Sequence, residues 1–395
     1  MFEYRGFHLD SVRHMQSIDE IKKFIDAMAI LEFNKFHWHL TDDQGWRFEC
    51  ESFPELNSKA AVRPYSDFGK KYINEPYGRV YTRDEMREIV EYCAAKGIDV
   101  VPEFDMPGHS SALLSVFPDI SCTGNEVKIK THQGIFSDIL CPAKEKTYEV
   151  VTRILDEFLD IFPGEYIHIG GDETPFTRRK ECPECRQKMK ELGIEDHAEY
   201  QNIFMNRIID YLESRGRHCI VWNDSAKGKN LDKRAVIQYW KENDKPSIDF
   251  INSGGKAILS PFSYLYLDYD YKITPLNRTY SMKTDLPGLT PEGKKNIIGA
   301  EATLWTEYID NIAQLEKLVF PRIIAASKIA LGEERGSYKE FLNEINEYKK
   351  ELPGISFGEE KDWTHSRASI VPGWLRFVKN NYSREYIINQ ITKKY

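Results

Sequence analysis

Short apolar runs alternate with longer stretches of helical periodicity along most of the chain. After Ser17, the apolar residues Ile21, Phe24, Ile25 and Met28 recur at the spacing of one helix face. Ser17-x-x-Glu20 also forms a capping box that marks the helix start, and Thr82-x-x-Glu85 repeats the pattern before a second helix. Strands that alternate with helices in this way indicate βαβ units and a parallel sheet.

The apolar runs predict eight strands. They cover residues 7–9, 35–40, 98–104, 166–169, 218–222, 236–240, 257–261 and 297–304. Further helices are predicted over residues 146–162, 197–215, 312–330 and 338–350. Eight such alternations favour a closed (β/α)₈ TIM barrel over an open doubly wound sheet. We expect the barrel to occupy residues 1–335, and residues 336–395 to form a C-terminal helical extension packed on it.

Composition narrows the class of protein. A hydrophobic fraction of 41% and a charged fraction of 29% are ordinary for a globular enzyme. The net charge of −8 is mild and the charges are interspersed, so we expect no nucleic-acid partner. The chain has no apolar run of membrane-spanning length, so we also expect no membrane partner. With no glycine-rich phosphate loop after any strand, we expect no nucleotide, and we expect no other cofactor.

The amino terminus and the cysteines bear on localisation. Residues 1–6 have neither the basic nor the apolar region of a signal peptide. The seven cysteines are an odd number scattered along the chain, which is typical of reduced thiols. We therefore expect a cytoplasmic protein, although a secreted protein trimmed at its start would have the same features.

Polar and aromatic residues gather at the ends of the predicted strands. They are Asp42, Asp43, Glu103, Asp105, His109, Asp172, Glu173, Trp222, Asp224, Trp240, Trp305 and Glu307. In a barrel, all these strand ends face one rim, where the active site is built. Carboxylates, tryptophans and a histidine at nearly every strand end predict a pocket for a neutral, polyhydroxylated ligand, which is a sugar.

Adjacent Asp172 and Glu173 are the strongest candidates for catalysis. Glycosidic cleavage needs one carboxyl group to protonate the leaving oxygen and another to stabilise the developing positive charge. Gly170 and Gly171 before them give the backbone the freedom to turn both side chains to the rim. A solvated acidic loop or a Mg²⁺ site would also place two neighbouring acids at a strand end.

Several motifs resemble those of glycoside hydrolase family 20, the β-N-acetylhexosaminidases. His168-Ile-Gly-Gly-Asp-Glu173 is similar to the family signature. The likeness continues in order through residues 5–14, 34–47, 102–109, 222, 266–268 and 305–307, and it spans residues 3 to about 335. The sequence departs from the family pattern in lacking the small N-terminal α/β domain. It also has Trp-Asn-Asp at residues 222–224, where Trp-Asp-Glu is familiar.

The resemblance implies substrate-assisted catalysis by three residues, in which the 2-acetamido oxygen of the sugar attacks the anomeric carbon. Glu173 is then the general acid and base. Asp172 orients the acetamido group and balances the charge of the oxazolinium ion. Tyr266 donates its hydroxyl to the same acetamido oxygen.

The resemblance also implies a set of substrate-binding residues. Trp222, Trp240 and Trp305 enclose the acetamido methyl group, whereas Arg5 on the pocket floor, Asp268 and Glu307 bind sugar hydroxyls. Asp42 and His109 line the site, and together with Asp105 they position Asp172 and Glu173 and tune their pKa values. The function implied is removal of terminal β-linked N-acetylglucosamine or N-acetylgalactosamine from a glycan or glycoconjugate.

Two other functions stay open. The first is a disaccharide-releasing or endo-acting relative, similar to a lacto-N-biosidase or a poly-N-acetylglucosamine hydrolase, in which residues 43–80 and 268–296 leave a groove. The second is a non-catalytic sugar-binding barrel, although binding alone needs no general acid.

We expect no bound metal. His37 and His39 share a strand face, but a His-x-His pair without a third ligand is typical of packing. Cys182-Pro-Glu-Cys185 suggests zinc, a redox pair or a closed surface loop. A lone CxxC lacks the second pair that a structural zinc ion needs, so we favour the surface loop.

Overall fold

Eight parallel strands close into a barrel in the computed structural model, which describes residues 1–69, 71–332, 334–366, 368 and 370–381. The strands are β1 (Tyr4–Asp10), β2 (Lys35–His39), β3 (Asp99–Met106), β4 (Tyr166–Gly170), β5 (His218–Trp222), β6 (Val236–Tyr239), β7 (Lys256–Leu259) and β8 (Ile297–Leu304). Strand β1 closes the ring by pairing with β8 on one side and β2 on the other. The (β/α)₈ barrel expected from the sequence is confirmed.

The helices pack mainly around the outside of the barrel. They are Ile18–Ile30, Arg83–Ala94, Ser111–Val116, Glu145–Ile161, Thr177–Glu181, Pro183–Leu192, His197–Glu213, Lys245–Asn252, Phe262–Leu265, Leu276–Tyr280, Pro291–Lys295, Ile312–Val319, Arg322–Leu331, Tyr338–Glu351, Glu360–Trp363 and Ile370–Asn381. Both predicted capping boxes, at Ser17 and Thr82, are formed. Strands β5 and β6 are joined by a short 3₁₀ helix, Asn223–Lys227.

The single helix predicted over residues 312–330 is wrong, because two helices occupy this stretch. The break falls between Val319 and Arg322, where Pro321 interrupts the chain. Proline has no N–H to continue the helical ladder, and its ring clashes with the preceding turn. Both helices contribute apolar residues to the same core cluster, among them Leu315, Val319, Ile323 and Ile324, so apolar positions recur on both sides of the break.

The barrel interior changes from apolar to polar along the strands. Near the strand starts, the cluster contains Tyr4, Val101, Tyr166, Ile220, Val236, Ile258 and Ile298. One step further along, the buried side chains are polar: His37, Glu103, His168, Gln238 and Glu301. Since alternate residues of a strand point to the same side, this order brings polar side chains to the carboxyl ends of the strands.

Helices after the barrel cover one side of it. Phe341, in the helix Tyr338–Glu351, stacks on Tyr280 with ring centroids 4.2 Å apart. In the helix Ile370–Asn381, Trp374 and Phe377 pack edge-on against Tyr269. Residues 382–395 of the predicted extension lie outside the described residues, and the boundary at residue 335 stays a prediction. Within the described ranges, no helix is long and apolar enough to cross a membrane.

Candidate functional site

A cavity of about 260 Å³ opens at the carboxyl ends of the strands. It brings together ten of the residues predicted from the sequence, which are Asp42, Asp105, His109, Asp172, Glu173, Trp240, Tyr266, Asp268, Trp305 and Glu307. Residues not predicted for the site also line it, among them Arg13, Gln133, Tyr269, Tyr308 and Phe377. Four of the strand-end residues expected at the same rim, Asp43, Glu103, Trp222 and Asp224, do not line this cavity.

The backbone after β4 turns Asp172 and Glu173 towards the same cavity. Gly170 and Gly171 have φ values of 68° and 99°, and Glu173 itself has a φ of 43°. In a continuing strand, neighbouring side chains would point to opposite sides, and these left-handed residues break that alternation. A side chain on Gly170 would overlap the Asp105 carboxylate, so this position requires glycine.

His109 lies between the two acids and a second pair of carboxylates. Its Nε2 is 3.9 Å from Asp172 and 3.8 Å from Glu173, and its Nδ1 is 3.2 Å from both Asp42 and Asp43. Burial alone would lower the pKa of this imidazole, but Asp42 and Asp172 raise the pKa of His109 well above its usual value. His109 is therefore an imidazolium that offsets the clustered negative charge.

Burial raises the pKa of Asp172 to about 7, and the charge of His109 limits this rise. The residue lines the cavity but is only 8% exposed, which explains why its ionisation is unfavourable. Among the described residues, no group donates a hydrogen bond to its Oδ1. Burial and the neighbouring Asp172 also raise the pKa of Asp105 well above the usual range. The site thus holds Asp172 near its titration point at neutral pH.

At one end of the cavity, Arg13 is surrounded by carboxylates. Its Nη2 is 2.6 Å from Asp42 Oδ2, and its Nη1 is 3.8 Å from Glu307 Oε1. Burial opposes ionisation of Asp42, but Arg13 and His109 outweigh it and hold the pKa of Asp42 below its usual range. Burial and the nearby Glu307 raise the pKa of Asp268 to about 8. This end offers charged donors and acceptors to a polyhydroxylated ligand.

Aromatic side chains form the other wall of the cavity. The rings of Trp240 and Tyr266 stack with centroids 6.1 Å apart, and Trp305 lies 6.4 Å from Tyr266. Trp240 is held by its Nε1, which donates to Asp224 Oδ2 at 3.0 Å. The Tyr266 hydroxyl remains a donor, because burial and then Tyr269 and Asp172 raise the pKa of Tyr266 well above its usual value.

The assignment of Arg5 to the pocket floor is wrong. Arg5 lies near the start of β1, where its Nε donates to the Glu32 carbonyl and its Nη1 to the Phe2 carbonyl. The start of a barrel strand is the end opposite the cavity. Arg13, just beyond the end of β1, is the arginine that reaches the site.

Trp222 lies beneath the cavity wall and is only 1% exposed. Its ring is 5.8 Å from Trp305, and its Nε1 donates to Glu103 at 2.9 Å. The prediction that it encloses the ligand together with Trp240 and Trp305 is therefore corrected: Trp222 supports Trp305 from below.

Glu103 is a fully buried carboxylate in the polar layer beneath the site. It contacts His168 at 2.9 Å and His37 at 3.2 Å, and it pairs with Nδ1 of His39. The expectation that the His37 and His39 pair has no third neighbour is wrong, since Glu103 lies beside both rings. The hydrogen bonds of Glu103 link these histidines into one packed polar layer. The layer also includes Asp42, because Nε2 of His39 lies 2.8 Å from the Asp42 carboxylate.

The residues Trp222, Asn223 and Asp224 at the end of β5 support the cavity wall without lining the cavity. Asn223 Oδ1 accepts hydrogen bonds from the backbone N–H groups of Trp240 and Lys241, and Asp224 pairs with Lys241 Nζ at 2.5 Å. These contacts position Trp240. The departure from Trp-Asp-Glu therefore falls on residues that support the aromatic wall.

The expectation that Cys182 and Cys185 lack a second cysteine pair is also wrong. Cys122 and Cys141 join them, and all four Sγ atoms lie within 4.8 Å of one another. These four residues have the donor set and spacing for a metal ion, and they lie outside the cavity.

Sequence reasoning missed several residues that line the site. Arg13 carried a usable signal, because it is a cation just past the end of a predicted strand. Phe377 carried none, since it reaches the cavity from a helix more than seventy residues beyond the last strand. Gln133, Gly134 and Ile135 arrive from a loop without a recognisable pattern.

Comparison with known proteins agrees with this geometry. The model of the glycosyl hydrolase family 20 catalytic domain matches residues 2–331. A beta-hexosaminidase of Porphyromonas gingivalis is 34% identical over 341 residues, which cover 83% of this chain and 43% of that protein. A beta-hexosaminidase of Vibrio furnissii is 32% identical over 342 residues, which cover 82% of this chain and 56% of that protein.

Solved structures share the fold. The exo beta-N-acetylglucosaminidase of Vibrio harveyi, solved in complex with N-acetylglucosamine, superposes with a TM-score of 0.79 at 27% identity. The alignment covers 92% of this chain and 60% of that one. The chain spans about half the length of the two curated relatives it matches.

Proposed function

Because this chain belongs to glycosyl hydrolase family 20, we propose that it is a retaining exo-β-N-acetylhexosaminidase acting on terminal β-linked N-acetylhexosamine. The observation that carries the proposal is that Asp172 and Glu173 line one cavity together with the aromatic side chains Trp240, Tyr266 and Trp305. The cavity volume of about 260 Å³ is close to the lower limit, about 300 Å³, of typical small-molecule sites. A space of this size suits a single sugar unit.

Glu173 is the general acid and base of the proposed reaction. It protonates the departing glycosidic oxygen while the substrate's own acetamido oxygen attacks the anomeric carbon. In the second half, Glu173 takes a proton from the water that opens the oxazolinium ring. His109, 3.8 Å away, supplies a positive charge that helps to hold this carboxyl group in place.

Asp172 orients the acetamido group and stabilises the positive charge that forms on it. Its Oδ1 is buried and lacks a donor among the described residues, so an acetamido N–H can supply the hydrogen bond. The carboxylate acquires a second positive partner, besides His109, when the oxazolinium ion forms, and this interaction is strong because the side chain is buried. Tyr266 donates its hydroxyl to the acetamido oxygen, and Trp240 and Trp305 enclose the methyl group.

Arg13, Asp268 and Glu307 bind the hydroxyl groups of the terminal sugar. Glu307 also borders a small neighbouring cavity lined by the hairpin Ser66–Phe68 and Lys71–Ile73, whose Lys71 forms a 2.6 Å ion pair with Asp310. A cavity whose volume suits a single sugar unit supports exo action over a groove and favours release of one sugar at a time.

Hydrolysis should retain the β configuration, because two displacements occur at the same carbon. At early times, NMR of a β-N-acetylglucosaminide should record the β anomer, and a chitin tetrasaccharide should give monosaccharide and trisaccharide as first products. First-formed α anomer would rule out the substrate-assisted route. Release of a disaccharide would favour the lacto-N-biosidase-like alternative, and binding without turnover would favour a sugar-binding barrel.

Arg13→Lys should lower kcat/KM by roughly 10–100-fold, because a hydrogen bond to a charged group contributes about 1.5–3 kcal/mol. Lysine keeps the charge beside Asp42, so the fold is retained, but it loses the paired donors of the guanidinium. Arg5→Lys is the matched control and should leave kcat/KM unchanged. A loss in the Arg5 variant without one in the Arg13 variant would reverse the assignment.

A further inference from the structure

Four buried cysteines meet beside the barrel, away from the proposed catalytic site. Cys122 follows the 3₁₀ helix Pro118–Ile120, and Cys141 precedes the helix Glu145–Ile161. Cys182 and Cys185 lie at the start of the helix Pro183–Leu192, in the loop after β4. The chain therefore brings one CxxC pair and two separate cysteines to a single point.

The distances between these sulfur atoms match those expected around a tetrahedral zinc ion. Cys141 Sγ lies 3.5 Å from Cys185 Sγ and 3.9 Å from Cys182 Sγ, and Cys122 Sγ lies 3.9 Å from Cys185 Sγ. A disulfide needs about 2.05 Å. A tetrahedral zinc ion with Zn–S bonds of about 2.3 Å places its sulfurs about 3.8 Å apart, which is the observed spacing.

We propose that Cys122, Cys141, Cys182 and Cys185 bind one structural zinc ion. The four thiols lose their protons on binding and become thiolate ligands. A four-iron cluster would put each thiolate on a different iron atom, so its sulfurs would lie farther apart than the 4.8 Å limit of this group. All four tetrahedral positions are filled by protein, which is the arrangement of a structural site and not of a catalytic one.

The surroundings suit a cluster with a net negative charge. The Arg179 side chain is fully buried, and its charge interacts with Cys122 and Cys185. Its Nη1 donates to the His197 carbonyl, but its Nε and Nη2 have no hydrogen-bond partner in the described ranges. The hydroxyl of Tyr200, packed in the same cluster, likewise has no partner there. Thiolates would accept hydrogen bonds from these buried donors and would balance the arginine charge.

The proposed ion joins two loops that build the catalytic face. One loop runs from His109 to Cys141 and carries Gln133, Gly134 and Ile135 to the cavity. The other begins with Asp172 and Glu173 and reaches Cys185. Linking both loops to one ion would fix the position of the cavity wall relative to the acids, so its loss should lower stability.

Metal analysis of the full-length protein, purified without chelator, tests the proposal. We expect about one zinc ion per chain in the wild type. Cys182→Ser and Cys141→Ser should each lose most of this zinc and melt at a lower temperature. The matched control is Cys93→Ser, a buried cysteine of the helix Arg83–Ala94, which should keep its zinc.

A measurement on the wild-type protein tests the proposal even if the cysteine variants fail to fold. Mercurial titration should release the zinc, and cobalt(II) exchanged into the site should give the absorption of a tetrahedral thiolate complex. Wild-type protein that stays metal-free in zinc-containing buffer would overturn the proposal. So would a disulfide among the four cysteines, iron in place of zinc, or equal zinc content in the Cys182 and Cys93 variants.

Discussion

Glu173→Gln is expected to lower kcat by roughly 10²–10⁴ on substrates with poor leaving groups, the range usual for loss of a general acid. Glutamine keeps the shape of the side chain beside His109 but cannot protonate the glycosidic oxygen. An activated aryl leaving group needs little protonation, so its cleavage should suffer much less.

The test compares the loss of kcat on the two kinds of substrate. Steady-state rates of the variant and the wild type are measured on a chitin disaccharide and on a nitrophenyl N-acetylglucosaminide. Glu165→Gln is the matched control, because this exposed residue precedes β4 at the opposite end of the same strand. Equal losses on both substrates would mean that Glu173 has a structural role only.

Asp172→Asn should lower kcat by roughly 10²–10³, since transition-state stabilisation of this kind is worth about 3–4 kcal/mol. Asparagine preserves the shape but places a neutral dipole opposite the oxazolinium ion. KM should change much less, because the positive charge develops after binding. A rise in KM alone would contradict the proposed role.

A thiazoline analogue of the oxazolinium ion provides an independent measurement. It should inhibit the wild type strongly and lose most of its affinity for Asp172→Asn. Tyr266→Phe should weaken it in the same direction but less, because this change removes one hydrogen bond and no charge. Equal thiazoline binding by the wild type and Asp172→Asn would exclude an orienting role.

The pH dependence of kcat/KM should follow from the ionisation of Asp172. The pKa of Asp172 is about 7 because the side chain is buried, and only its ionised form balances the oxazolinium charge. As the pH falls through about 7, Asp172 takes up a proton, so kcat/KM of the wild type should decrease. Asp172→Asn should lack this acid limb, and a wild-type profile that is flat from pH 8 to pH 5 would contradict the assignment.

The sequence alone determined the barrel and most of its catalytic rim. Apolar runs and helical periodicity are local properties, and eight strands that alternate with helical stretches leave few folds. Strand ends in a barrel share one rim, so Asp172, Glu173 and Glu307 could be grouped before any contact was known, whereas Tyr266 was added only by the family resemblance. Gly170 and Gly171 also indicated a turn before Asp172, because glycine can adopt positive φ values without a steric penalty.

The tertiary structure decided how deep each side chain lies and which distant residues meet. Trp222 is the last residue of β5 and Trp305 follows β8, yet Trp222 is a buried support and Trp305 lines the cavity. Arg5 lies near the start of β1 and Arg13 lies just beyond its end, so the direction of β1 places the two arginines at opposite ends of the barrel. Cys122 and Cys141 join Cys182 and Cys185 through loops whose paths depend on packing across the whole rim. The local periodicity of the sequence does not predict such contacts. They depend on how distant parts of the chain pack together, and not on the residues adjacent to each cysteine.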